Sequence, residues 1–308
     1  MEEIKLDLIT KEMLDKSIIF EEFGTRTCVT DFTLLLGKSS VVFSDGTRYS
    51  SWVTKSKGKK SSSILNVSEF ASFIYGNSNI NDENIGIRPI VKYSLIKDLV
   101  KVEDLVDDDL STVLYGNYPS TTVDLELNNL LEEHYKNNEL VKTGMRYEVP
   151  VSNYNYDKIT LDTIFYDEYE YDNRKFIRFE ADNYYTLNNL VKVEKGQILY
   201  IEVEPVRWIV DKNLDFAITE NIIFSGIPFS KDKHYFGNFE KTNMYKFLNE
   251  ILLKDIKPSK EYQTSVNIDE KIDALIRISG NKKEIIDFLK KLNDNNIKAE
   301  EVSYVRKK

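Results

Sequence analysis

The stretch Ile198–Ser230, ILYIEVEPVRWIVDKNLDFAITENIIFSGIPFS, holds the longest two-residue apolar beat in the chain, and a period of two commits a segment to a strand with one buried face. Tyr200, Glu202 and Glu204 alternate with Ile201, Val203 and Pro205, and beyond the proline Val206, Trp208 and Val210 continue an apolar face against Arg207 and Ile209. Asp211–Asp215 reads as a turn, and Phe216, Ile218, Ile222, Ile223 and Phe224 as the returning strand. A hairpin over 198–224 follows, with Trp208 deep in a sheet-based core. Neither this stretch nor any other contains a residue set that dictates a reaction.

A chain of 308 residues, 41% hydrophobic and 30% charged, is too apolar for disorder and long enough for one large domain or two ordinary ones. It has no run of about 18 apolar residues that could span a bilayer, so no membrane contact is expected. The opening MEEIKLDLITKEML is acidic and lacks the apolar core of a secretory signal, which makes the cytoplasm the expected compartment. The single cysteine, Cys28, cannot form an internal disulfide and reads as a small buried residue. His134, on a predicted helix, and His234, in a loop, have no evident partner for a nucleophile–base pair. A formal charge of −9 argues against direct nucleic-acid binding. It is compatible with docking onto a basic protein groove, where complementary potential steers encounter.

Taken in order, residues 10–23 fit a helix capped by Thr10 and ended by Gly24. Thr27–Leu36 and Ser40–Phe43 are β-prone, and Ser44–Gly46 is a turn leading to Tyr49, Trp52 and Val53. The basic, serine-rich KSKGKKSSS at 55–63 reads as a solvated loop. A short helix is expected from Ser68, with Phe70, Ala71 and Ile74 on one side. The following loop, Gly76–Gly86, is dense in side-chain oxygens: Asn79, Asn81, Asp82, Glu83 and Asn84 could contribute to a calcium shell, although their spacing is not that of an EF-hand. Arg88 reads as a partner for buried carbonyls or a carboxylate. The acidic block at 97–110, with Asp107, Asp108 and Asp109 consecutive, is the linker candidate.

Tyr115–Pro119 reads as a turn. Asp124 caps a helix whose Leu127, Leu130, Leu131 and Tyr135 share a face, with Glu126, Asn128, Glu132 and Glu133 opposite. Tyr154–Tyr171 reads as a strand with its acids on the wet face. Thr242–Lys254 is a second helix, striped by Met244, Phe247, Leu248, Ile251 and Leu252. Residues 265–308 read as a small β-α-β unit. The expected class is α+β: a mixed, mainly antiparallel sheet body with few helices, divided into 1–110, which closes the sheet, 111–260, which holds the hairpin, and the carboxy-terminal unit at 265–308.

Several blocks point to a family. YSSWVTKS at 49–56, GIRPIVKYS at 86–94, YGNYPSTTV at 115–123, KTGMRY at 142–147, VEPVRWIVD at 203–211, IIFSGIPFS at 222–230 and NFEKTNMYKFLNE at 238–250 resemble a family, without assigned activity, of low-GC Gram-positive bacteria and their phages. The resemblance covers about 20–258. The same blocks are similar to a domain of C-type-lectin and sulfatase-modifying-factor type, in which the G-x-Y-P and E-P-x-x-W segments come first and the G-V-R-P-A segment last. Here Trp52 and Arg88 precede Tyr118 and Trp208, so the chain resembles a circularly permuted version. The enzymes of that group use paired cysteines, which this chain lacks, so no enzymatic role follows.

The leading expectation is a non-enzymatic protein-interaction protein, phage-encoded and inhibiting a host defence nuclease in the manner of an anti-CRISPR protein. Its partner would be a host protein or ribonucleoprotein complex. The alternative is a C-type-lectin-like ligand or carbohydrate-binding module, with Tyr49, Trp52, Asn79, Asn81, Asp82, Glu83 and Asn84 as the binding surface. An enzyme would have to use clustered carboxylates, for which Asp167, Glu168, Glu202 and Glu204 are the candidates. No cofactor is expected.

Overall fold

Among the described residues, nine strands hydrogen-bond into one antiparallel sheet, and the stretch with the two-residue beat lies at its centre. The computed structural model describes residues 3–43, 47–70, 75–96, 100–106, 109–155, 158–232 and 234–256. The chain divides into two units, Met1–Lys257 and Pro258–Lys308. The expected β-α-β unit at 265–308 and the turn at 44–46 lie outside the described residues.

In chain order the strands are β1 (Leu6–Asp7), β2 (Ile90–Lys92), β3 (Val100–Val106), β4 (Leu110–Thr122), β5 (Val141–Asn155), β6 (Lys158–Tyr171), β7 (Arg174–Glu180), β8 (Ile198–Asp211) and β9 (Phe216–Thr219). The sheet runs β1-β2-β9-β8-β7-β6-β5, with β4 on the opposite edge of β8 and β3 beyond β4. One edge of β8 is shared: Ile198–Glu202 pairs with β7, and Trp208–Asp211 with β9. Trp208 is fully buried, and its Nε1 donates to the carbonyl of Tyr115 at 3.0 Å. The core-facing positions pass from Ile201 and Val203 to Val206, Trp208 and Val210 across Pro205, where the register against β4 shifts.

Two segments differ from their expected form. The supposed turn at 115–119 lies inside β4: register shifts on either side of Asn117–Pro119 absorb extra residues, and they accommodate a proline that has no N–H to give a ladder. The supposed linker at 97–110 contains β3, paired with β4. Strand pairing between β2 and β9 and between β3 and β4 therefore carries the sheet across residue 110.

Helices pack on this sheet. The expected helix at 10–23 is broken into α1 (Lys11–Lys16) and α2 (Ile18–Phe23). Ser17 sits between them in extended geometry, accepting from the Ile19 N–H at 3.3 Å and donating to the buried Asp211 carboxylate at 2.6 Å. The β-prone segment 27–36 keeps only isolated bridges at Cys28 and Val29, then becomes α3 (Asp31–Leu35). Thr30 caps α3 by accepting from Thr33 N at 3.2 Å, and Asp31 is fixed by the N–H groups of Thr122 and Asn188.

Asp124 caps α4 (Leu125–Lys136) through Leu127 N at 2.8 Å. Asn128, expected outward, is buried: its amide donates to Ile198 O at 3.0 Å and accepts from Tyr200 N at 2.8 Å, pinning α4 to the start of β8. The last helix, α5, spans 243–256 and includes a π-helical segment at Phe247–Leu252. Its Phe247, Leu248 and Leu252 are buried, as the apolar stripe predicts.

A smaller three-stranded sheet of Trp52–Lys57, Ser63–Val67 and Tyr75–Asn79 lies in the amino-terminal part. The helix expected after Ser68 lies partly outside the described residues, and the oxygen-rich segment after Tyr75 begins as a strand. The described body is α+β and rich in antiparallel sheet, and no helix among its residues is long and apolar enough to cross a membrane.

Candidate functional site

The surface expected around Tyr49, Trp52 and residues 79–84 is mostly spent on the fold. Trp52 is fully buried, its Nε1 donating to Thr25 O at 3.1 Å and its ring lying 6.0 Å from Phe20 and 5.2 Å from the Arg88 guanidinium. It is a core side chain with no face left for a sugar, which corrects its place in the binding surface. Arg88 is buried too, donating to Thr219 O and Thr27 Oγ1. Tyr49 is half-buried, edge-on to Phe43.

In the loop, Asn79 Oδ1 accepts from Asn81 N at 3.1 Å and Asp82 Oδ1 from Asn84 N at 2.9 Å. Asn84 Oδ1 takes Ser39 N at 3.0 Å, and the Asn81 amide, turned so that its nitrogen faces Ser230 O, donates to it at 2.7 Å. The carbonyl of Glu83 accepts from Gly226 N at 3.1 Å. These polar groups close the loop and dock it, and they do not converge on a point. Among the described residues no group of three or more His, Cys, Asp and Glu could hold a metal ion. Lys38 locks the loop from below, its Nζ donating to Asn84 O at 2.9 Å and Ser51 Oγ at 3.3 Å. Burial pulls the Lys38 ammonium down to about 8, with Glu69 and Asp82 acting in the opposite direction.

The carboxylates considered for catalysis are each tied to a separate partner. Glu168, expected on a wet face, is 2% exposed. It accepts from Tyr147 Oη at 2.6 Å and Thr143 Oγ1 at 2.8 Å, with Lys175 Nζ at 3.5 Å. Glu202 forms a two-pronged pair with Arg174 at 2.7 and 2.6 Å, and Glu204 accepts from Thr121 Oγ1 at 2.7 Å. Asp167 is held below the usual carboxylate range by hydrogen bonds from Lys142 and Arg146. The histidines, which the sequence left without partners, have them: His134 meets Glu139, and His234 Nδ1 lies 2.8 Å from Ser61 Oγ. No carboxylate among the described residues orients the second ring nitrogen of His234, so this pair lacks the third member of a nucleophilic triad.

What the fold leaves open is the hairpin arm of β5 and β6. The two strands pair without interruption from Arg146 and Asp167 to Asn155 and Lys158, whereas β6 pairs with β7 only over Glu168–Tyr171. Residues 158–167 therefore have no strand on their second edge among the described residues. The root of the arm is anchored: Tyr166 lies 6.1 Å from Phe32 and 5.6 Å from Phe179, and Tyr147 lies 5.9 Å from Tyr118. Beside the open edge Ile164 is 43% and Phe165 51% exposed. Arg146, ion-paired with Asp167, lies 5.1 Å over the Phe165 ring, and Asp162 and Glu170 are exposed nearby. An aromatic next to an unpaired strand edge is the geometry through which a sheet adds a strand from a partner. The single strand expected over 154–171 divides between the end of β5 and β6, with residues 156–157 outside the described residues, and nothing in its alternation marks an edge as open.

Compared with known proteins, the chain matches no family model, no curated protein and no solved structure.

Proposed function

We propose that this chain is a non-enzymatic protein-interaction module that docks through the open edge of β6. The observation that carries the reading is Ile164 and Phe165 exposed beside residues 158–167, which lack a second strand partner. The partner surface is basic, because the chain carries a net charge of −9 and the exposed Asp162 lies two residues before Ile164 on the open edge. In its concrete form the partner is a host defence nuclease whose nucleic-acid groove supplies the positive surface. That form rests on the resemblance to a phage-borne family and on the charge.

The permuted C-type-lectin type is part of the same proposal. It is supported by the way amino-terminal β2 closes the sheet against β9, and by the way Arg88 bridges Trp52 to Thr219. The lectin-like activity loses its sugar platform with Trp52 buried and is not carried further.

The test is retention of a bacterial protein by the tagged chain, with a Phe165→Ser variant alongside. The reading expects one stoichiometric protein held at low salt and released as salt rises to about 0.5 M. It expects at least about a tenfold loss of affinity in Phe165→Ser and recovery in Phe165→Tyr. Equal affinity in Phe165→Ser, or no protein retained at low salt, contradicts it.

A further inference from the structure

Beneath the arm, a cavity of about 240 Å³ lies between the β5–β6 hairpin and α5. Its floor is apolar, made by Pro150 and Leu161 from the arm and by Phe247 from α5, while Lys231, Lys241 and Lys246 stand around its rim. The three lysines are exposed, and none pairs with a carboxylate within ion-pair distance among the described residues. Glu250 is the one acid in the lining, so the cavity is locally cationic in a chain whose net charge is −9. Asn243 uses its Oδ1 to accept from Lys231 N at 3.1 Å, which fixes the lysine-bearing loop against the start of α5 and leaves the amide NH₂ as a further donor at the rim.

An apolar floor with cations on the rim selects a ligand with two parts. The floor favours a flat apolar group, whose transfer from water supplies affinity without directionality. The rim favours a compact multiply charged anion, because several ammonium groups can point their donors at one centre. Three lysines against one glutamate leave a surplus that a dianion matches.

We propose that this cavity binds a phosphate monoester of a compound that contains a flat ring, such as an aryl or nucleoside monophosphate. The site shares Leu161 with the open edge of β6 but is not lined by Phe165, so the Phe165 and lysine variants test the two surfaces separately.

The test is calorimetric titration of the full chain at low salt with phenyl phosphate, adenosine monophosphate, inorganic phosphate and benzyl alcohol. Phenyl phosphate or the nucleotide should saturate the site and bind at least about tenfold more tightly than either phosphate or the alcohol alone. Lys231→Glu and Lys246→Glu should each weaken that binding by at least about tenfold, while Lys195→Glu, on an exposed turn that does not line the cavity, should leave it unchanged. Thermal unfolding of the variants separates lost binding from lost folding. No saturable binding at about 10 mM of either ester, or binding that survives Lys246→Glu, overturns the proposal.

Discussion

Gly116→Ala is expected to destabilise the protein by about 3–4 kcal/mol, lowering the melting temperature by roughly 10 °C for a body of this size. Gly116 sits in β4 with φ +70°, where an L side chain costs about 1–2 kcal/mol by itself. A Cβ there would also overlap the carbonyl oxygen and the Cγ2 atom of Ile256, the residue that ends α5. Relief would require α5 to leave β4, and Ile256 is completely buried. Gly144 is the internal control. Its φ is +87° but nothing lies within 4 Å of a Cβ added there, so Gly144→Ala should cost only about 1 kcal/mol. Equal losses in the two variants, measured by thermal or urea unfolding, would contradict the packing of α5 on β4.

The second large effect is a pH dependence located in Asp255. The side chain is 9% exposed, and burial raises its carboxyl from an ordinary value near 3.8 to about 7. The hydrogen bond from Glu148 N opposes that shift, and the Glu148 carboxylate adds to it. The folded value lies above the unfolded one, so the folded state holds a proton that the unfolded state has already released between pH 4 and 7. This contribution is fully present below pH 4 and is lost as pH rises through about 7. The full swing is about 4 kcal/mol as an upper bound, and solvent relaxation brings the expected effect to about 2–3 kcal/mol. Asp255→Asn can still accept from Glu148 N and cannot ionise. It should therefore be more stable than the parent by about 2 kcal/mol at pH 8, and equal to it at pH 4. Parallel stability curves for the two proteins across pH 4–8 would contradict the assignment.

How far the sequence foretold this arrangement depended on whether the pattern was local. The strand β8 and the helix α4 were legible because alternation and a capped 3.6-residue stripe are fixed within one element. Breaks that depend on distant partners were not. Ser17 interrupts a helical pattern because Asp211, 194 positions away, takes its hydroxyl hydrogen. Glu168 reads as a wet-face acid until Tyr147, Thr143 and Lys175 gather around it. The acids at 97–110 suggested solvation, yet β3 forms there because β4 offers a ladder. The expected site failed for the same reason in reverse. Trp52 and the oxygens of Asn79, Asp82 and Asn84 have the chemistry of a binding surface, and each is consumed by a neighbour that no spacing reveals. The open edge of β6 was invisible because it is defined by where β7 stops pairing.

The docking edge is tested most directly by amide hydrogen exchange of the chain alone and in complex with the protein it retains at low salt. The account predicts that exchange slows by at least about tenfold in β6, centred on residues 158–167, with smaller changes in the strand behind it. Protection centred on residues 79–84, or none in β6, would contradict it.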